Sequence, residues 1–115
     1  MSDTATLPLL KGTLDLLILK TLSWGPMHGY AIAKWLEQRS DGNLGVEDNA
    51  LYQALQRLEA RDQVAAEWGL TANNRRARFY KLTAAGRRKL RDETSAWMRY
   101  TRFVTAVLTL SSRTA

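Results

Sequence analysis

The chain has 115 residues, 45% of them hydrophobic and 24% charged, which fits one globular domain. It contains no cysteine, and this excludes disulfides, thiolate catalysis and cysteine-based zinc sites. The formal net charge of +6 is uneven: residues 1–55 hold four Lys/Arg and six Asp/Glu, whereas residues 56–115 hold thirteen Lys/Arg and five Asp/Glu. Such a basic surface attracts nucleic acid first and anionic membrane second, although a solvated basic face without a partner fits equally well.

The first residues do not have the pattern of a targeting segment. They lack a cationic stretch followed by an apolar one, so a signal peptide is not expected. The chain has no run of about 18 apolar residues of the kind that spans a bilayer. We therefore expect a cytoplasmic protein with flexible tails at residues 1–8 and 111–115.

Two helices are predicted in the first third of the chain. From Thr13 to Leu22, leucine and isoleucine recur at helical spacing and form a stripe wide enough to be buried on several sides. Residues 24–29 contain two glycines and a proline and predict a turn. Its His28 is the single histidine of the chain and lacks the partners of a metal or general-base site, so we expect a structural or capping role. The second helix is expected at about residues 30–39.

The third predicted helix has the most informative pattern. It begins near Asp48, a plausible N-cap, and places Leu51, Leu55 and Leu58 on its inner face. The opposite face is polar and nearly uncharged in its first turns, and its side chains suit base edges: Asn and Gln pair with adenine, and Arg with guanine. An ordinary exposed face holds more Glu and Lys, although Gln is also a good helix former. The residues predicted to contact bases are Asn49, Gln53, Gln56 and Arg57.

Two strands follow, at residues 64–68 and 76–82, and a polar turn at 71–75 joins them into a hairpin. Three arginines lie close together at this turn. They are placed to reach phosphates or a narrow minor groove, or to protect the strand edge from aggregation. Three helices followed by a basic hairpin form a winged helix-turn-helix, with one helix in the major groove and the wing beside it. The predicted wing residues are Asn73, Asn74, Arg75, Arg76 and Arg78.

Thr83 is expected to cap a last helix at about residues 84–110. A heptad seam, with alternating spacings of four and three typical of helices that pair, is formed by Leu90, Thr94, Trp97, Thr101, Val104 and Leu108. The fold class is therefore α+β, mostly α: a winged-helix domain at residues 9–83 and a dimerisation helix at residues 84–110. The predicted dimer-interface residues are Leu90, Trp97, Thr101, Val104 and Leu108.

Residues 9–108 resemble the PadR-like family of transcriptional regulators. The resemblance rests on four segments in the same order: LKGTLDLLIL at residues 10–19, HGYAI at 28–32, LYQALQRLE at 51–59 and NNRRARFYKLTAAG at 73–86. It implies the short-tailed branch, whose members dimerise through a single C-terminal helix and usually repress promoters. It also implies phosphate contacts by Tyr30, Lys34 and Tyr52, although partial core packing also explains the tyrosines.

The chain departs from the family pattern at two positions. Gln53 stands where the family usually has proline, which presets the first helical turn. Asp62 stands where it usually has glycine, which permits a left-handed cap. Neither change removes the fold, but both put the family's usual DNA sequence preference in doubt.

The resemblance also bears on the tryptophans. Similar regulators carry an aromatic residue at the position of Trp97 that stacks on flat drug-like molecules in a pore at the dimer interface. A packing anchor of the dimer is the alternative for Trp97. Trp24, Trp35 and Trp68 are expected to be core or interface residues without a ligand role.

The sequence predicts a sequence-specific DNA-binding regulator that acts as a repressor and homodimer on a roughly palindromic promoter site, without cofactor or metal. One alternative is a ligand-responsive regulator with a small aromatic effector. Another is a protein-binding adaptor with little DNA affinity, for which Gln53 and Asp62 leave room. An enzyme is least favoured, because the sequence lacks a nucleophile–base or metal constellation.

Overall fold

The structure, a computed structural model, describes residues 12–112. The elements in chain order are α1 (Thr13–Leu22), β1 (Met27–His28), α2 (Gly29–Arg39), α3 (Asp48–Ala60), β2 (Val64–Leu70), β3 (Arg76–Leu82) and α4 (Ala84–Leu108). The three strands form one antiparallel sheet in the order β1-β3-β2. The predicted winged helix with a long C-terminal helix is confirmed. The predicted tails, all of 1–8 and most of 111–115, lie outside the described residues.

The first three helices and the sheet share one hydrophobic core. Ile18 of α1 and Ile32 of α2 are fully buried, and Val64 and Leu82 close the core from paired positions of β2 and β3. The predicted inner face of α3 is confirmed, because its three leucines are at most 1% exposed. Burial of each such side chain stabilises the fold by about 1.5–3 kcal/mol, so the orientation of α3 is firmly set.

Local capping chemistry decides where the helices begin. The imidazole Nδ1 of His28 accepts a hydrogen bond from the Ala31 amide at 3.3 Å, which confirms its predicted capping role at the start of α2. The Thr83 hydroxyl accepts one from the Gly86 amide at 3.0 Å and begins α4 as predicted. The N-cap of α3 is Glu47, so the prediction of Asp48 was wrong by one residue. Asp48 lies instead in the first turn, where a carboxylate favours the positive end of the helix dipole.

A short strand replaces part of the turn predicted at residues 24–29. Met27 and His28 pair antiparallel with Tyr80 and Phe79 of β3. A strand of two residues is too short to show alternation, and the glycines and proline around it indicate only a turn. Because β1 runs directly into α2, this pairing fixes the start of α2 to the hairpin.

Two of the tryptophans lie outside the core. Trp24 is 66% exposed and Trp68 is 59% exposed, whereas Trp35 is half-buried and packs against the core. This exposure excludes the core for Trp24 and Trp68.

The long helix α4 begins in contact with the core and then leaves it. A Cβ at Gly86 would collide with the Gln63 carbonyl oxygen, so glycine is required where the helix starts. Leu90 packs against the core of its own chain. Beyond Trp97 most side chains are exposed, among them Met98, Tyr100, Phe103, Val104, Val107 and Leu108.

Candidate nucleic-acid interface

Three of the four residues predicted to contact bases lie on the exposed face of α3. Asn49, Gln53 and Gln56 are all exposed opposite the buried leucines. Within residues 12–112, none of these amides forms a side-chain hydrogen bond to the rest of the chain. Their donors and acceptors are therefore available for a base edge.

Arg57, the fourth predicted base contact, is held within the chain. Its guanidinium donates to both carboxylate oxygens of Asp15 on α1, at 2.7 Å from Nη2 and 3.4 Å from Nε. Arg61 lies 3.7 Å from the same carboxylate. The hydrogen bond to Asp15 holds the pKa of Arg57 above its ordinary value. Base contact by Arg57 remains a prediction, and it depends on the N–H donors that Asp15 does not use or on release of Asp15.

The three residues predicted to contact phosphates lie together where α2 begins. Tyr30 is 66% exposed, and the Lys34 Nζ lies 6.0 Å from the centre of its ring. Tyr52 reaches this place from α3 because Gly29 lacks a side chain: a Cβ at Gly29 would lie 2.7 Å from the Tyr52 hydroxyl and 2.8 Å from its ring. A larger residue than glycine would therefore push Tyr52 away from the start of α2.

The turn of the hairpin is closed by its own backbone. The Thr71 amide donates to the Arg75 carbonyl, and the Asn74 amide donates to the Thr71 carbonyl, both at 2.8 Å. Asn74 adopts a left-handed conformation with φ of 63°, which asparagine tolerates better than most residues. Asn73, Asn74 and Arg75 are all exposed at this tip.

The other two wing arginines lie on β3 rather than in the turn. Arg76 places its guanidinium 4.7 Å from the centre of the Trp68 ring. Arg78 pairs with Glu59 of α3 at 3.0 Å. Arg78 therefore links the wing to α3, whereas Arg75 and Arg76 have no carboxylate partner among residues 12–112.

An open cleft of about 1140 Å³ separates the start of α2 from the hairpin, and we call it the α2–wing cleft. Its lining contains four cationic side chains and no carboxylate. Tyr80 also lines it, and burial raises the pKa of this phenol. The lining residues used below are Tyr30, Lys34, Tyr52, Trp68, Arg75, Arg76 and Arg78.

Other kinds of site find no support in the part of the chain that the structure describes. Within residues 12–112, the histidine, aspartate and glutamate side chains form no group of three that would hold a metal ion. No helix in this range has the length and apolar character needed to cross a membrane. The chemistry concentrated in one place is that of hydrogen-bonding amides beside cations.

Comparison with known proteins identifies the family. The model of the transcriptional regulator PadR-like family matches residues 18–92, which include α2, α3 and the whole hairpin. The chain belongs to the PadR-like family. It is therefore a transcriptional regulator, a function that implies DNA binding, and not an enzyme.

Solved structures share the fold of this PadR-like regulator. A PadR family transcriptional regulator from Eggerthella lenta is 32% identical, with a TM-score of 0.73 over 88% of this chain and 86% of that chain. A protein from Streptococcus mutans has a TM-score of 0.81 over 95% of this chain and 98% of its own at 22% identity, which shows the fold alone. An uncharacterised protein from Lysinibacillus sphaericus is 25% identical over 89 residues, which are 77% of this chain and 82% of that protein.

Three residues that shape this surface were not singled out from the sequence. Asp15 lies 42 positions before Arg57, and no local pattern connects the two. Gly29 was seen only as part of a turn, because its contact with Tyr52 depends on how α2 packs against α3. Trp68 was expected in the core or an interface. A signal was present for Trp68: it stands at an alternating position of a strand that approaches an arginine-rich turn.

Proposed function

We propose that this PadR-like regulator is a cytoplasmic, sequence-specific repressor that binds a roughly palindromic promoter site as a homodimer. The observation that carries the proposal is the continuity of two surfaces. Tyr52, Gln53 and Gln56 lie on adjacent positions of α3 at helical spacing, and Tyr52 also lines the α2–wing cleft. Base-reading amides are therefore next to a surface suited to phosphates.

In this proposal α3 enters the major groove and reads bases with Asn49, Gln53 and Gln56. Each good bidentate pair contributes about 1–3 kcal/mol of discrimination against a wrong base. Arg57 joins them through the N–H donors that Asp15 does not use, or by exchanging Asp15 for a base. Phosphate contacts position the duplex without reading sequence. We assign these contacts to Tyr30, Lys34 and Tyr52 and to the wing residues Asn73, Asn74, Arg75, Arg76 and Arg78.

The homodimer is proposed from the distal half of α4. Val104 and Leu108 lie on the predicted seam and are exposed in the single chain, while Trp97 and Thr101 are half-buried. Leu90 already packs in its own core, so the free part of the seam begins after it. A second copy would cover this apolar surface, as helices with such seams pair. A two-fold dimer would present its two α3 helices to half-sites about 34–36 Å apart, and repression would follow from occupying a promoter.

Selection of bound duplexes from a random DNA pool tests this function. We expect recovery of a palindromic consensus whose half-site centres are about 10 base pairs apart. Light scattering on the same preparation should give twice the chain mass. Recovery of no enriched sequence would overturn specific DNA binding. An affinity without a steep salt dependence would favour a protein-binding adaptor instead, because phosphate contacts release counterions.

One observation favours a second candidate, the aromatic effector. Trp97 and Tyr100, with ring centres 6.3 Å apart, line a cavity of about 220 Å³ between α4 and the start of α1. A ligand bound here would lower DNA affinity only if it preferred one dimer geometry. Planar aromatic compounds should then quench Trp97 saturably and weaken DNA binding. Unsaturable quenching with DNA affinity unchanged would reject the effector and leave Trp97 as a packing residue.

A further inference from the structure

The α2–wing cleft contains one large side chain to which the proposed function assigns no role, Trp68. It continues the side of β2 that begins with buried Val64 and half-buried Ala66, because alternate residues of a strand point to the same face. The core ends before Trp68, which remains 59% exposed and lines the cleft. An exposed tryptophan at such a position offers a broad apolar surface to a partner.

Trp68 also holds a cation in the cleft. In the antiparallel register Trp68 lies opposite Arg78, and Leu70 opposite Arg76, so Arg76 is the diagonal neighbour of Trp68 on the same face. Its guanidinium stacks on the indole at 4.7 Å. Because Arg76 has no carboxylate partner among residues 12–112, its charge is available to an anion while its position is restrained.

The opposite wall of the cleft also has a cation beside an aromatic ring, although this cation is paired with the Glu37 carboxylate at 3.8 Å. On α2, Lys34 lies 6.0 Å from the ring centre of exposed Tyr30. Each wall therefore pairs an aromatic ring with a cation. The lining has no carboxylate, and of its four cations Lys34 and Arg78 pair with Glu37 and Glu59 just outside it, which leaves Arg75 and Arg76 for an anion. Alternating anionic and less polar surfaces on a partner, as in the phosphates and sugars of a nucleic-acid strand, complement this arrangement.

We infer that the α2–wing cleft holds a stretch of DNA sugar–phosphate backbone, with Trp68 packed against a deoxyribose and its Arg76 partner on the adjoining phosphate. The cleft of about 1140 Å³ is open and larger than most small-molecule pockets, which suits a polymer that passes through it. The inference rests on the proposed function, since the duplex in the cleft is the one that α3 reads. It makes Trp68 a contact residue of the wing.

Substitution of Trp68 in the full-length dimer tests the inference, with a labelled duplex of the selected consensus as probe. Trp68→Ala should weaken binding about tenfold on consensus and scrambled duplexes alike, because a backbone contact carries no sequence information. Trp68→Phe keeps an aromatic surface and should lose no more than about threefold. Thermal unfolding should be little changed, since the side chain is mostly outside the core.

The chain offers a matched control. Trp24 is 66% exposed and carries Lys20 at 5.0 Å from its ring, so it is also an exposed tryptophan paired with a cation. It does not line the cleft. Trp24→Ala should therefore leave DNA affinity unchanged. Duplex should also shield tryptophan fluorescence from acrylamide in the wild type and in Trp24→Phe, and this gain of shielding should be lost in Trp68→Phe.

The outcomes separate the two proposals. Wild-type affinity in Trp68→Ala, together with a loss in Lys34→Ala and Arg76→Ala, would overturn the role of Trp68 and leave DNA binding standing. Failure of the wild-type protein to bind any duplex would overturn the proposed function itself. Shielding of Trp68 by polyglutamate as effectively as by duplex would assign the cleft to an acidic peptide and would also overturn the inference.

Discussion

Helices α3 and α4 are both amphipathic, but they leave opposite kinds of surface exposed. One face of α3 is apolar and lies in the core, where Leu51, Ala54, Leu55 and Leu58 are buried. The opposite, exposed face carries the amides. The distal half of α4 buries almost nothing within its own chain and exposes Phe103, Val104, Val107 and Leu108. One helix thus presents hydrogen-bonding groups and the other presents uncovered hydrocarbon.

The difference indicates which partner each helix requires. Exposed apolar patches of this kind mark interaction sites, because covering them removes hydrocarbon from water. A polar face gains little from an apolar partner but much from matched donors and acceptors. We therefore assign α4 to a second copy of the chain and α3 to DNA, and the predictions below test this division from the largest expected effect to the smallest.

The dimer seam should be the most sensitive point. Val104→Glu places a charge in the proposed interface and should give a monomer by light scattering. Affinity for the palindromic duplex should fall about 100-fold, because the two half-sites are no longer bound by linked α3 helices. Ala106→Glu adds the same charge outside the predicted seam and should leave both properties unchanged. A Val104→Glu protein that stays dimeric would place the interface elsewhere.

Gln56→Ala and Arg75→Ala should change DNA binding in different ways. Gln56→Ala should relax preference at one position of each half-site by about 1–3 kcal/mol, with the salt dependence of binding unchanged. Arg75→Ala should weaken all duplexes alike and reduce the salt slope by about one per chain. Affinities on a panel of point-substituted duplexes at several salt concentrations distinguish them. Uniform weakening by Gln56→Ala would remove it from base readout.

The next prediction concerns the contact of Gly29 with Tyr52. Gly29→Ala brings a Cβ within 2.8 Å of the Tyr52 ring, which belongs to a side chain that is 46% exposed and can move aside, so the free energy of unfolding should fall by no more than about 1 kcal/mol. Adding Tyr52→Ala should restore most of the lost stability, because the ring that clashes with the new Cβ is removed. Adding Tyr52→Phe should not, because the ring remains. Thermal denaturation of the single and double variants measures the coupling. Aromatic NMR shifts of Tyr52 that are the same in Gly29→Ala and wild type would contradict the close approach.

The ion pair of Arg57 should have the smallest effect. Asp15 is 18% exposed and Arg57 is 47% exposed, so Asp15→Ala should lower the free energy of unfolding by about 0.5–1 kcal/mol, less at high salt. If Arg57 only clamps α3 to α1, Arg57→Ala should do the same and leave sequence preference intact. If Arg57 also reads a base, its alanine variant alone should relax one position of each half-site.

The sequence predicted those elements whose determinants are local. The bounds of α1 and β3 and the leucine face of α3 follow from periodicity, and Thr83 caps α4 through a hydrogen bond three residues away. The bond of Arg57 to Asp15 spans two helices. Strand β1 exists only because β3 supplies its partners. Such contacts depend on how elements pack, so a pattern within one element does not contain them.

The same distinction between local patterns and contacts between elements applies to the candidate site. Amides on α3 and the arginines in and just after the turn were evident from residue type and spacing, and the structure places them on exposed surfaces. The ion pair of Arg78 with Glu59 depends on the register of the hairpin. The exposure of Trp68 depends on where the helices cease to cover the sheet.

The joint between α3 and α4 leaves little room for bending. The Thr83 hydroxyl donates to the Asp62 carbonyl at 2.6 Å, its amide donates to the Gln63 carbonyl at 3.1 Å, and Gly86 lies against that same carbonyl. A dimer formed through α4 would therefore hold its two α3 helices at a fixed separation and angle. One additional base pair between half-sites moves the second by about 3.4 Å and about a tenth of a turn. A rigid dimer cannot follow that displacement, so its affinity would depend on the spacing between the half-sites as well as on their base sequence.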